Sequence, residues 1–292
     1  MARENYTMLY GQVYRKPSIY IDKEGNMLRG VCFLKVLRRI YHIENISTGQ
    51  LRLDMPILVT ENPELIKKMA ALNVGDMIDV KSALSTKNVK KTSYCSEKHE
   101  NVFAGNMVYV TPIYINVRKE KLNEDEGLIE LKENSEISNT AVLIGTVCKI
   151  PEYYQDEQGR MYCQYQLAVK RKIRIKEDEE DKTTDFPFIK TFGPQAEEDS
   201  KRLKVGSVVY INGALQTRTA TRKSVCEVCG EEYTWEEGVM EVVPYSVEYL
   251  RHCYDTTGET EIGDDDEIYG EEAGLMYDES ENKVLTETYE EV

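Results

Sequence analysis

Val74-Gly-Asp-Met-Ile-Asp-Val-Lys-Ser-Ala-Leu-Ser-Thr86 and Val205-Gly-Ser-Val-Val-Tyr-Ile-Asn-Gly-Ala-Leu-Gln-Thr217 are two versions of one stretch, written twice in a single chain. The likeness continues upstream. Asp54 to Lys87 laid over Asp185 to Arg218 without a gap gives ten identities in 34 positions, where composition alone gives roughly two. Further upstream, Met8-Leu-Tyr-Gly-Gln-Val13 matches Val142-Leu-Ile-Gly-Thr-Val147 at nearly the same spacing. Downstream, Val108-Tyr-Val-Thr-Pro-Ile113 resembles Glu241-Val-Val-Pro-Tyr245. The chain, 292 residues long, therefore contains one folding module twice.

Within each copy the apolar residues recur with period two and are often β-branched, with Gly-rich or Asn-rich turns between the runs, which predicts strands. Asn62 to Ala71 and Gly193 to Arg202 differ. A proline near the start and a helix-forming composition predict one short helix in each copy. Three strands, a helix and two more strands is the order of an OB barrel. The expected fold is mainly β, two tandem OB barrels, each five-stranded with one short helix.

The expected organisation is a first module at 1–118, a linker at 119–138, a second module at 139–254 and an acidic tail at 255–292. The linker is rich in Glu, Asn and Lys, as flexible spacers are. The tail holds 15 acidic residues and one lysine, a charge of -14 out of the chain's -15, so the body is nearly neutral. With so few apolar groups, the tail is expected to be disordered. No run approaches the ~20 apolar residues of a membrane span, and the first residues lack the apolar core of a signal peptide. A soluble, cytoplasmic protein is expected. Three of the seven cysteines, Cys32, Cys148 and Cys163, sit alone in apolar runs, where a reduced cysteine acts as a small hydrophobe.

Cys226-Glu-Val-Cys229-Gly230 has the spacing that presents two thiolates to one metal ion on a single tight turn. The repeat locates a second half: Cys95 stands to Cys226 as Val74 stands to Val205, and His99 lies just past the equivalent of Cys229. One structural zinc site of Cys95, His99, Cys226 and Cys229, shared between the modules, is expected. The alternative is a metal bound across a homodimer or with His252 and Cys253.

Residues 139–250 resemble the bacterial single-stranded-DNA-binding protein family. The resemblance is carried by Asn139-Thr-Ala-Val-Leu-Ile-Gly145, Tyr165-Gln-Leu-Ala-Val-Lys-Arg171, the segment Phe186 to Glu197 with Phe192-Gly193, and Gly206 to Arg218. It implies an OB groove that stacks bases of single-stranded DNA on aromatic rings and neutralises phosphates with Lys and Arg. Phe186 and Phe192 fall at the family's stacking positions. Lys170, Arg171, Lys172 and Arg174 on one strand end, and Arg218, Arg222 and Lys223 on another, are the expected phosphate partners. Ile173 and Ala220 stand where the family often has further tryptophans. In the first module, Met55 and Glu61 match Phe186 and Phe192 and cannot stack a base; Arg38, Arg39, Tyr41 and His42 remain to contact a strand there.

The resemblance also implies a tail that recruits replication or repair proteins, here lacking the family's usual ending, and four OB folds per assembly, which a homodimer of this chain supplies. The expected function is non-catalytic, largely sequence-independent binding of single-stranded DNA in replication, recombination or mobile-element transfer. The alternative is a protein-interaction adaptor that recruits partners through its acidic tail. An enzyme is not expected, because no nucleophile-base pair and no Gly-rich phosphate loop occurs.

Overall fold

The computed structural model describes residues 4–39, 52–172, 183–254 and 261–262. The first module runs β1 (Glu4–Val13), β2 (Ser18–Ile21), β3 (Met27–Arg38), β4 (Arg52–Asp54), β5 (Ile57–Thr60), α1 (Pro63–Ala71), β6 (Met77–Tyr94) and β7 (Glu100–Lys119). After α2 (Glu124–Glu133) the same order recurs: β8 (Asn139–Val147), β9 (Glu152–Gln155), β10 (Met161–Lys170), β11 (Thr184–Asp185), β12 (Phe188–Phe192), α3 (Pro194–Arg202), β13 (Val208–Val225) and β14 (Glu232–Arg251). Two short strands, β15 (Cys253–Tyr254) and β16 (Glu261–Ile262), pair after it.

Each module closes on itself. In the first, β1 pairs with β6, β6 with β7, β7 with β5 in parallel, β5 with β3, and β3 again with β1. In the second, β8, β13, β14, β12 and β10 make the same ring. Alternate residues point inward, as the period-two pattern requires. They fill the barrels with Leu9, Leu34, Leu58 and Leu84 in one and Leu143, Leu167, Ile189 and Leu215 in the other, all fully buried. Gly11 and Gly145 sit where the first strand of each barrel bends from one neighbour to the next. A Cβ there would come within 3.0 Å of the Lys35 carbonyl oxygen and 2.9 Å of the Ala168 carbonyl oxygen. The helices start where expected: the Asn62 side chain accepts the amides of Glu64 and Leu65, and Pro194 follows Gly193, whose φ is +60°.

The barrels are joined strand to strand. β1 and β8 pair antiparallel from Glu4↔Ile144 to Leu9↔Asn139. Two reciprocal clasps flank this seam and use residues identical between the copies. Asp54 accepts the Thr217 amide at 2.7 Å and holds Arg38 at 2.8 Å; Asp185 accepts the Thr86 amide at 2.8 Å and holds Arg171 at 2.6 Å. The Thr217 hydroxyl accepts the Met55 amide, and the Thr86 hydroxyl accepts the Phe186 amide. The repeat identities at these positions thus hold one barrel to the other.

The segment expected as a linker is half helical. Asn123 and Glu126 form a reciprocal capping box at the start of α2. Leu131 is buried with Tyr10, Leu37 and Met77 of the first module, and the Tyr10 hydroxyl donates to Glu130 at 2.6 Å. The composition is that of a spacer, but the buried Leu131, the Tyr10–Glu130 bond and Gln12, which donates to the Leu122 and Asn123 carbonyls, dock it. Most of the expected acidic tail, 255–260 and 263–292, lies outside the described residues.

Because Arg38 is 7% exposed, Asp54→Ala leaves a buried guanidinium unpaired. The stability lost should be about 3–5 kcal/mol, with a similar loss for Asp185→Ala, read from urea unfolding of each variant.

Candidate nucleic-acid interface and metal centre

The outward-facing side of the second barrel carries a row of three rings. The β9–β10 hairpin turns at Asp156, whose carboxylate accepts the Gln158 and Arg160 amides, with Gly159 at φ +76°. This turn fixes the register Tyr154↔Tyr162, and β10 pairs with β12 at Tyr162↔Phe192. Cross-strand neighbours share a face, so Tyr154, Tyr162 and Phe192 line up across three strands. Tyr154 and Tyr162 stack with centroids 4.8 Å apart. The Lys190 ammonium lies 4.2 Å from the Tyr162 centroid and 5.8 Å from that of Phe192. Burial holds Lys190 below its usual pKa, with Glu241 opposing the shift. Phe192 is 46% exposed.

Phe186 is half-buried and set at the junction of the modules. Its carbonyl oxygen accepts the side-chain amides of Gln166 at 2.9 Å and Asn106 at 3.3 Å. Lys170 is half-buried near the end of β10. Arg171 must be withdrawn from the expected phosphate contacts: it is 8% exposed and its guanidinium is committed to Asp185 in the clasp. Arg218 is held bidentate by Glu241, at 2.7 and 3.2 Å, and Glu241 also accepts Gln216. Lys172 pairs with Glu4, Arg222 with Glu237 at 2.9 Å and Lys223 with Glu232 at 2.6 Å. These last three cations are exposed. Exposed pairs contribute about 0–1 kcal/mol, so a phosphate can displace the carboxylate. Arg174, Ile173, Tyr41 and His42 lie outside the described residues.

The first barrel presents a different face. The Leu34 amide donates to the Pro56 oxygen and the Leu167 amide to the Pro187 oxygen, which aligns β3 with β10 so that Leu34 and Leu167 are equivalent. Arg29 therefore stands in the place of Tyr162, and Glu61 in that of Phe192; they form an ion pair at 3.0 Å. Val31 paired with Val59, and Phe33 paired with Ile57, replace Gln164 with Lys190 and Gln166 with Phe188. The Arg15 guanidinium covers the Phe33 ring at 3.7 Å. Tyr20, paired with Arg29, keeps the place of Tyr154, while an ion pair beside an apolar patch stands where Tyr162 and Phe192 would be.

Beyond the barrels, the hairpins β6–β7 and β13–β14 continue as two arms that pack against each other. Phe103 meets Trp235 at 5.0 Å, the Ser93 and Tyr233 hydroxyls bond at 2.7 Å, and Lys91 pairs with Glu237. At the tips the four expected ligands come together: Cys95 Sγ, His99 Nδ1, Cys226 Sγ and Cys229 Sγ lie within a cluster whose ligand atoms are all within 4.8 Å of one another, so a metal ion is geometrically possible there. The Cys229 and Val228 amides and the Asn101 side chain lower the Cys226 thiol to about 6, against the cost of burial. His252 and Cys253 follow the far end of β14, whose 20 residues span roughly 60 Å, so they cannot complete this cluster.

A small closed barrel with an open face of stacked rings and exchangeable cations belongs to the class of OB-fold binding modules. Comparison with known proteins refines this. Residues 138–234 match the Single-strand binding protein family. Single-stranded DNA-binding protein 1 of Clostridium acetobutylicum is 34% identical over 111 residues, which cover 36% of this chain and 99% of that protein. Single-stranded DNA-binding protein 2 of the same organism is 34% identical over 105 residues, covering 34% and 77%. This chain belongs to the single-strand binding protein family. The crystal structure of the wild-type single-stranded DNA binding protein from Thermus aquaticus superposes with a TM-score of 0.55 at 16% identity, covering 85% of this chain and 94% of that one. That likeness is one of fold, and it extends over both modules.

Proposed function

We propose that this chain binds single-stranded DNA without catalysis and with little sequence preference, and that the second barrel holds the main site. The row Tyr154, Tyr162 and Phe192 with Lys190 above it carries this reading. Every base has a π face, so rings at successive positions along a strand grip it whatever its sequence. Phe186, Lys170, Lys172, Arg174, Arg218, Arg222 and Lys223 are the proposed flanking contacts. Binding of this kind serves replication, recombination or the transfer of a mobile element in the cytoplasm. Family membership supports the reading, and the relatives named for this activity match the second module.

The cluster at the arm tips is proposed to hold one structural zinc ion. Zn–S bonds of about 2.3 Å and Zn–N bonds of about 2.0–2.1 Å in a tetrahedron put sulfurs about 3.8 Å apart and sulfur and nitrogen about 3.6 Å apart. Cys95 Sγ and Cys229 Sγ are separated by 3.8 Å, and His99 Nδ1 lies 3.5 Å from Cys95 Sγ and 4.0 Å from Cys226 Sγ. Four protein ligands leave no position for an activated water, so the role is to clasp the arms. The acidic tail is proposed to recruit replication or repair proteins, and a homodimer to supply four barrels. The apolar face at Val31, Phe33, Ile57 and Val59 favours a second reading, in which the first barrel serves protein contact rather than DNA.

Affinity for oligo-dT, measured by fluorescence anisotropy, should fall with salt at a slope of roughly -0.7 in log K per phosphate neutralised. Tyr162→Ala and Phe192→Ala should each weaken it by about 1–3 kcal/mol, while Arg29→Ala leaves it nearly unchanged. Absence of binding, or a flat salt response, would remove the DNA reading. Elemental analysis of the purified chain should find one zinc per chain, lost in Cys95→Ser. Because Trp235, the sole tryptophan, packs beside this cluster, chelation should also change its fluorescence.

A further inference from the structure

We infer that the first module completes the DNA site of the second barrel: Asn106, on the arm of the first module, is a positioning residue that holds Phe186 in place for a base. The inference rests on the reading of the second barrel as a single-stranded-DNA site, and on how the Phe186 backbone is held. Three side chains hold it. The Thr86 hydroxyl accepts the Phe186 amide at 2.9 Å, and the Phe186 carbonyl oxygen accepts Gln166 Nε2 at 2.9 Å and Asn106 Nδ2 at 3.3 Å. Thr86 lies on β6 and Asn106 on β7, so both come from the other module. Phe186 itself falls between β11 and β12, outside both strands. These side chains therefore stand where a ladder partner would.

The first barrel separates the bonds that belong to the fold from those that belong to the ring. At its matching corner Met55 takes the place of Phe186, and the Thr217 hydroxyl accepts the Met55 amide at 2.8 Å. That bond is common to both copies. The two amide bonds are not. Phe33 stands in the place of Gln166; Asn88 pairs with Asn106, whereas Thr219, the counterpart of Asn88, pairs with Gly238. Neither Phe33 nor Gly238 has a side-chain donor. Space does not forbid a side chain at position 238, because a Cβ there meets no heavy atom within 4 Å. The carbonyl clamp thus accompanies the ring and has no counterpart beside the methionine. It also works against stability: with their NH2 groups turned to Phe186, Asn106 Oδ1 and Gln166 Oε1 are buried without a partner among the described residues, which is costly for an acceptor. Fixing the carbonyl fixes the backbone that carries the ring, and a ring set in place beforehand loses less freedom when a base arrives.

The test is a double-mutant cycle on the affinity of the full chain for oligo-dT, read by fluorescence anisotropy. Asn106→Ala should weaken binding about 2- to 10-fold, the range of one hydrogen bond, in the wild-type and Phe192→Ala backgrounds alike. In the Phe186→Ala background it should cost nothing further, because the ring it serves is gone. Asn106→Asp keeps the side chain's shape and removes the N–H donor, and it should show the same dependence on Phe186. Its added charge acts equally in every background and cancels from the cycle. Either variant alone completes the cycle, and urea unfolding of each checks that the fold is kept. A loss of equal size in the Phe186→Ala and Phe192→Ala backgrounds, or no loss in any, overturns the inference while the DNA reading stands. A wild-type chain that does not bind oligo-dT overturns the DNA reading and this inference with it.

Discussion

The antiparallel pairing of β1 with β8 makes the first strand of each barrel the neighbour of the other's, and it sets everything else in the molecule. Strand pairing fixes register to one residue, so the two barrels have one relative position. That position carries Asp54 to Thr217 and Asp185 to Thr86. It also aims both long hairpins the same way, so that equivalent loops from the two halves of the sequence meet at one point. A slip of one residue along the seam would break both clasps and part the arm tips.

Within that frame the barrels differ in what they show to solvent. The cores are interchangeable in kind, and both closed rings use the same strand order. The open faces differ: three aromatic rings, glutamines and a lysine on one, and Tyr20 with an ion pair, valines, phenylalanine and isoleucine on the other. Constraint from packing acts inward and holds the repeat. The outer face is free of it, and there the two copies diverge.

The fold was legible because its signals are local and repeated: period-two runs, Gly-rich or Asn-rich turns between them, and Pro63 and Pro194 near the helix starts. The cluster of three cysteines and a histidine was legible too, through the offset that placed Cys95 opposite Cys226. The ring row was legible only at Phe192. Tyr154 and Tyr162 become neighbours through the Asp156–Gly159 turn, and reading Asp-Glu-Gln-Gly as a hairpin turn would have paired them from sequence. Arg171 misled because a basic residue at a strand end looks the same whether it faces water or a buried carboxylate; the equivalent Arg38 with Asp54 was the available warning. The docked α2 was hidden by its composition, though Asn123-Glu-Asp-Glu126 carries the capping signal.

The donor set at the arm tips contains three cysteines and one histidine. Two identical chains meeting about a two-fold axis must contribute matching donors, so such a dimer makes a site of four cysteines, or of two cysteines and two histidines, and never three and one. Joining the modules in one polypeptide lifts that parity rule. Once both halves are encoded separately, a substitution in one loop is no longer copied into the other, and an odd ligand set becomes accessible. The single histidine at position 99 thus sets this donor set apart from any that a two-fold pairing of identical chains could build.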